Sequence, residues 1–299
     1  MSGPGEGFRA GFAALAGRPN VGKSTLLNAL VGEKLSIVAP RPQTTRHRIL
    51  GLVNLPHAQI AFVDTPGLHH GARRALNRAM NRTAASALAD ADVVLFVVEA
   101  GRWTADDQLA LDRVIGGARP AIAVVNKMDR MRPREAALPF IAELAARHGF
   151  VDVVPCSARD THNLDRLMEC IGAQLPLSPP LFPPEQLTDR DTAFRIAEEI
   201  REKLTLELNQ EVPYGIAVAI ESMSEEDGRL AVSAVIWVDR EGQKPIVIGE
   251  GGERLKRVGR AARLALSGLL GKRLHLELWV KVREDWADNA RALKALGLE

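Results

Sequence analysis

The chain has little of what marks secreted, metal-stapled or membrane-spanning proteins. Only two of its 299 residues are cysteine, Cys156 and Cys170, with no partner Cys or His at metal-ligand spacing. That argues against a disulfide framework and a zinc site, and leaves two buried thiols as the expectation. No apolar run approaches the length of a bilayer span, and the opening MSGPGEGFRA lacks the basic start and apolar core of a secretory signal, so a cytoplasmic protein is expected. The histidines form no cluster except His69 and His70, read as solvent-facing residues of a mobile segment. Neither charge sign dominates: 39 basic residues face 37 acidic ones, for a net charge of +2. Internal repeats are lacking too. The one biased stretch is PLSPPLFPP at 176–184, whose five prolines exclude helix and central strand and read as a stiff extended linker. Length and punctuation together predict a first domain over 1–178, a linker over 179–188 and a second domain over 189–299.

What is present begins with GRPNVGKSTLLNAL. Gly17, Gly22, Lys23 and Ser24 fit G-x-x-x-x-G-K-[ST], a loop whose backbone N–H groups cradle phosphates. The apolar FRAGFAALA before it reads as a buried strand and KSTLLNALVG after it as a helix, the order this loop requires. Asn20 and Thr25 complete the phosphate-contacting stretch, Lys23 brings a mobile charge to the β- and γ-phosphates, and the Ser24 hydroxyl is left for Mg²⁺.

Two further strand ends name the rest of the ligand. AQIAFVDTPGLHH places Asp64 at the end of a buried strand, where such proteins hold their Mg²⁺-binding carboxylate, and Gly67 offers a backbone N–H to the γ-phosphate. PAIAVVNKMD runs into Asn126, Lys127 and Asp129. The Asp129 carboxylate suits the paired N1–H and amine donors of guanine, which adenine lacks, so ATP would leave it unpaired. Asn126 is expected to tie strands to loops, and the Lys127 stem to cover the base. In VPCSARD, Ser157 and Ala158 are placed to offer backbone N–H groups to the guanine O6.

These motifs resemble those of the Era family of translation-factor-class P-loop GTPases. The resemblance extends to QTTRHR at 43–48, where Thr45 takes the place of the switch threonine that closes on Mg²⁺ and the γ-phosphate, with Thr44 the neighbour a one-residue register shift would substitute. It implies GTP hydrolysis with Lys23, Thr45 and Gly67 as catalytic groups and Ser24, Thr45 and Asp64 around the metal. Related GTPases with Asn at the position of Asn20 use a bound K⁺; stabilising the loop is the other reading of that residue. Leu68 stands where Ras-like enzymes place a water-orienting Gln.

Before the prolines, strands alternate with helical patterns, an α/β domain with a mostly parallel sheet and helices on both its faces. After them the order changes. DTAFRIAEEIREKLTLEL reads as a helix, YGIAVAIESM and GRLAVSAVIWVDR as strands joined by SEEDG, GERLKRVGRAARLALSGLL as a second long helix and KRLHLELWVKV as a last strand. With PIVIGEGG opening that second helix, this smaller α+β domain resembles a type II KH domain, whose G-x-x-G loop admits a nucleic-acid backbone. Residues 254–273 carry seven basic side chains and no acid, leaving 32 basic against 37 acidic elsewhere, so positive charge is concentrated beside that loop. The expected RNA face is Ile248, Gly249, Glu250, Gly251, Gly252, Arg254, Lys256, Arg257 and Arg260. Glu250 departs from the small or basic residue usual there. The closing HLELWVKVREDWADNARALKALG also looks like the family's.

The resemblance implies a partner, the 3′ end of 16S ribosomal RNA, and a role in assembly of the 30S subunit, with the chain a monomer. A competing reading uses the basic face of 254–273 for anionic lipid, a peripheral inner-membrane switch. Against it, Leu264, Leu266, Leu269 and Leu270 are better used in the small domain's core. A nucleotide kinase is disfavoured because NKMD has no use in phosphoryl transfer to a small acceptor.

Overall fold

The computed structural model describes residues 7–39, 41, 44–66, 74–117, 119–208, 215–226 and 228–298. Its contacts divide into two units, one of residues 1–36, 45–71 and 80–189, the other of residues 37–44, 72–79 and 190–299.

In the first unit the order is β1 (Arg9–Ala16), α1 (Lys23–Val31), β2 (Ile49–Asn54), β3 (Ala58–Asp64), α2 (Ala75–Ala89, whose first turn clusters with the other unit), β4 (Val93–Glu99), α3 (Ala105–Ile115), β5 (Ala121–Asn126), α4 (Leu138–Arg147), β6 (Asp152–Pro155) and α5 (Leu164–Gln174). The sheet runs β2-β3-β1-β4-β5-β6, parallel except for β2 against β3. Strands covered on both faces need no polar alternation, which is why β3, β4 and β5 read as almost unbroken apolar runs. Successive strands leave β1 in opposite directions, β3 on one side and β4 on the other. At such a switch point the loops after the carboxyl ends of the strands part, and a crevice opens.

The proline stretch is no free spacer. It is a strap bound along the first unit: Leu181 and Phe182 N–H donate to the amide oxygen of buried Gln59 at 2.7 and 2.9 Å, Gln59 Nε2 donates back to the Phe182 carbonyl at 2.8 Å, and Leu52 N–H donates to the Leu187 carbonyl at 2.9 Å. The prolines hold the chain extended while Phe182 meets Phe12 edge-on.

The second unit follows α6 (Thr192–Glu207), β7 (Ile216–Glu226), β8 (Arg229–Val238), α7 (Gln243–Ile248), α8 (Glu253–Leu270), β9 (Arg273–Val282) and α9 (Ala290–Ala295). β7 pairs antiparallel with β8, with a bulge between Ile220 and Ser222, and β9 runs parallel to β8. One face of this sheet meets Ile196, Ile200 and Leu204 of α6 and Val258, Ala262 and Leu266 of α8. The short α7 was not anticipated; Pro245 sits in its first turn, where the missing N–H costs nothing. Leu264 is a correction: it is 68 % exposed, while Leu266 is buried and Leu269 and Leu270 pack at the edge of the core. Val38 and Thr44 are held within this unit, Val38 N–H donating to Glu202 Oε1 at 2.8 Å and Arg201 donating to the Thr44 carbonyl. Both cysteines are buried free thiols. Among the described residues no helix is long and apolar enough to cross a membrane.

Candidate functional site

The loop between β1 and α1 is shaped by close approach. A Cβ on Gly17 would lie 2.3 Å from the Val97 carbonyl oxygen and one on Gly22 2.4 Å from Asn126 Nδ2, and both glycines have positive φ, 142° and 102°. Asn20 shares that left-handed region at φ 65° and is exposed. Gly22 caps α1 with no side chain on the helix's first N–H groups, and Thr25 lies half-buried in that turn. The end is therefore electropositive and open to an anion. Lys23, buried, donates to the Gly17 and Arg18 carbonyls at 2.9 and 3.1 Å. Burial lowers its pKa from 10.5 to about 8, with Asp64 pulling the other way.

Around Asp64 the three expected metal-site residues come together. Ser24 Oγ lies 2.8 Å from both Asp64 Oδ2 and Thr45 Oγ1, and Thr45 Oγ1 is 3.3 Å from the same carboxylate oxygen. Thr44 turns away, its hydroxyl donating to the Arg41 carbonyl at 2.6 Å, so of the two threonines Thr45 is the one at the carboxylate. A fourth group, Ser36, had no sequence signal; fully buried, it donates to Asp64 Oδ2 at 2.9 Å. Its loop is clamped by Asn28, whose Oδ1 accepts from Leu35 and Ser36 N–H, both at 2.9 Å, and whose Nδ2 donates to the Ser36 carbonyl at 2.7 Å. Burial raises the Asp64 pKa, against the pull of Lys23 and the three hydroxyls. Its other oxygen, Oδ1, is buried with no hydrogen-bond partner. An orphaned carboxylate oxygen beside hydroxyls is a donor set that suits a hard divalent cation such as Mg²⁺. Gly67, Leu68, His69 and His70 lie outside the described residues.

At the base end Asn126 serves as the expected tie, Nδ2 donating to the Val21 carbonyl and Oδ1 accepting from Ala158 N–H, each at 3.0 Å. Lys127 Nζ reaches across to the Asn20 carbonyl at 2.7 Å. Ser157 Oγ donates to Asp129 Oδ1 at 2.8 Å and accepts from Asp160 N–H, which fixes the carboxylate's orientation. Ser157 N–H donates to the His162 carbonyl at 3.1 Å and Ala158 N–H to Asn126 Oδ1 at 3.0 Å, bonds that satisfy these buried donors and tie the loop to the end of β5.

Three charged residues also went unread. Arg18, inside the phosphate loop, bonds Asp107 at 2.9 Å and Glu99 at 3.2 Å. Asp107 closes a capping box with Thr104 on α3, a signature legible in TADD, and Glu99 ends β4 as Asp64 ends β3.

In the second unit Gly249, Gly251 and Gly252 all have positive φ, and Gly252 caps α8 without a side-chain bond, so the loop presents bare backbone to the helix end. Ile248 closes α7, and Glu250 is exposed. Lys256, Arg257 and Arg260 lie exposed on α8, the first two paired with Glu253 and Glu207. Arg254 differs: it folds back onto the Ile246 carbonyl, and a Cβ on Gly249 would stand 2.7 Å from the Arg254 Cβ. That bond buttresses the loop from the first turn of α8.

The family model described as "50S ribosome-binding GTPase" matches residues 12–127, and that described as "KH domain" matches residues 211–287. The chain is 49 % identical over 289 residues to GTPase Era of Stenotrophomonas maltophilia strain R551-3, covering 97 % of both. To GTPase Era of Coxiella burnetii strain Dugway 5J108-111 it is 47 % identical, covering 97 % of this chain and 98 % of that one. A single-residue variant of Aquifex aeolicus Era bound to GDP·AlF4⁻ superposes with a TM-score of 0.93 at 40 % identity, covering 97 % of this chain and 99 % of that one. The same figures describe the match to Era in complex with MgGDPNP and nucleotides 1506–1542 of 16S ribosomal RNA.

Proposed function

Because the chain belongs to the Era family of GTPases, P-loop enzymes that hydrolyse GTP, we propose that it is a switch whose KH domain binds the 3′ end of 16S ribosomal RNA during 30S subunit assembly. The observation that carries the enzymatic half is the convergence of strand ends on one crevice. β1 leads into the phosphate loop, β3 ends at Asp64 and β5 at Asn126, so one crevice gathers groups for phosphate, cation and guanine. A divalent cation at Asp64, Ser24 and Thr45 would neutralise charge on the β- and γ-phosphates. The α1 N-terminus and the Lys23 ammonium take the remaining phosphate charge, and the free oxygen of Asp129, its partner already held by Ser157, meets the guanine donors.

For the RNA half, the support is a glycine-rich loop, with no side-chain cap, at the head of a helix whose exposed face carries Lys256, Arg257, Arg260 and Arg263. Crosslinking to cellular RNA followed by sequencing tests it, with enrichment of the 16S 3′ end expected and even coverage of cellular RNA contrary to it. The double variant Gly251→Asp, Gly252→Asp should lose the RNA, and wild-type RNA affinity should fall steeply with salt.

With Leu68 where a Gln would orient water, unaided hydrolysis should be slow. We propose K⁺ at Asn20 as the activator. The Asn20 amide oxygen and the phosphates would hold it. Hydrolysis measured at fixed ionic strength in K⁺, Na⁺ or Cs⁺ decides: a rate indifferent to the cation moves the activating role to the ribosomal partner.

A further inference from the structure

Glu99, the last residue of β4, collects cations from both ends of the nucleotide crevice. Its Oε2 accepts from Arg18 Nη2 at 3.2 Å and from Lys127 Nζ at 3.0 Å, and its Oε1 from Arg130 Nη1 at 3.0 Å. Arg18 belongs to the phosphate loop, while Lys127 and Arg130 flank the turn that carries Asp129. The register of the sheet sets Glu99 directly beside Asn126, so the carboxylate stands between loop and turn.

We propose that Glu99 is a positioning residue for nucleotide retention: it locks the phosphate loop to the base-recognising turn, and so sets how fast guanine nucleotide leaves. This rests on the GTPase reading of the crevice. Three cations and two carboxylates, Glu99 and Asp107, make up the cluster, so neutralising Glu99 leaves three cations facing one acid. Asp107 cannot substitute. It is fully buried, its Oδ2 already accepts from Arg18 Nε and from the N–H and hydroxyl of Thr104, and its Oδ1 is enclosed out of reach of all three cations. Arg18 is buried and tied to Asp107, so it stays; Lys127, with 19 % of its side chain exposed, has water open to it and leaves. The Asn20 carbonyl then loses its ammonium donor. Asn20 is a non-glycine residue at φ 65°, a conformation held where its surroundings over-determine it. One lost carboxylate charge thus loosens the cover on the base and the loop under the phosphates together.

The experiment is stopped-flow release of fluorescent GDP, chased with unlabelled GDP, from the full chain. Losing a charge-assisted hydrogen-bond hub predicts release at least about tenfold faster in Glu99→Gln than in wild type. Glu99→Asp, with the charge kept on a shorter stem, should fall between them. If Glu99 acts through Lys127, the double variant Glu99→Gln, Lys127→Met releases no faster than Lys127→Met alone, a non-additivity that general weakening of the fold would not produce. Release within about twofold of wild type in Glu99→Gln, or factors that multiply in the double variant, overturns the proposal. Were the Gln variant to fail to fold, the Asp variant decides by the same twofold criterion. Wild type that does not retain GDP would overturn the GTPase reading instead.

Discussion

Titrating Lys23 perturbs the phosphate end without altering a single atom of the fold. Its ammonium donates to two carbonyls and is desolvated by burial, and the burial lowers its pKa to about 8 against the pull of Asp64. A bound nucleotide diphosphate surrounds the same ammonium with negative oxygens and keeps it charged. Binding must then take up protons wherever the free protein has lost them. For a free value of about 8 the uptake is about 0.1 proton at pH 7 and about half a proton at pH 8. GDP affinity should fall about fourfold between pH 7 and 8.5 by the same relation. The sign follows from direction: a depressed lysine is charged below its folded value and neutral above it, so affinity is lost as pH rises. Calorimetry of GDP binding at pH 8 in two buffers of different ionisation enthalpy reads the uptake directly. Lys23→Arg, which cannot lose its proton in this range, should bind more weakly with no uptake. An uptake below about 0.1 proton at pH 8 would refute the desolvation argument, since the ammonium would then be fully charged before the ligand arrives.

Asp129→Asn should weaken GTP roughly a hundredfold and admit xanthosine triphosphate, whose carbonyl accepts from the new amide where guanine presents its amine; competition binding checks both. Asn28→Ala removes three hydrogen bonds to the buried Leu35–Ser36 loop and strands their N–H groups, so denaturant unfolding should show a loss of roughly 2–4 kcal/mol. Ser36→Ala takes one donor from Asp64 Oδ2, and the Mg²⁺ concentration needed to slow GDP release should rise several-fold, with no change if Ser24 and Thr45 suffice.

The parts legible in the sequence are those where local chemistry and backbone demand coincide. Gly17 and Gly22 announce positive φ and close approach, Lys23 and Ser24 follow at fixed helical offset, and Asp64 and Asn126 each close an apolar run long enough to be a buried strand. Asn126 could be read as a tie because a buried side-chain amide needs partners on both atoms, and it has them. What stayed hidden depends on chain far away in sequence. Nothing in EKLSIV says that Asn28 will fold that loop back so that Ser36 reaches Asp64. That the Ser157 and Ala158 N–H groups bond the His162 carbonyl and Asn126 was equally hidden, because those acceptors come together only in three dimensions. Composition likewise showed that 176–184 is stiff and could not show that Gln59 anchors it.

The residual strain of the first unit is not scattered. Asp64 Oδ1 and Asp107 Oδ1 are buried without partners, and Lys23 is a buried ammonium whose pKa its surroundings depress. Each would be costly in an ordinary core. Two of the three, Lys23 and Asp64, have missing partners of opposite kind, anionic oxygen for the first and a cation for the second, and a nucleotide bound with its metal brings both at once. Binding energy then relieves a cost already built into the fold, and relieves it only for a ligand carrying both charges in the right order. Asp107 fits no such scheme: its Oδ2 accepts from Arg18 and from the N–H and hydroxyl of Thr104, while its Oδ1 has nothing. Its burial holds Arg18 in place at a cost to the free protein, which is what a loop needs if it must keep its shape when the phosphates have gone.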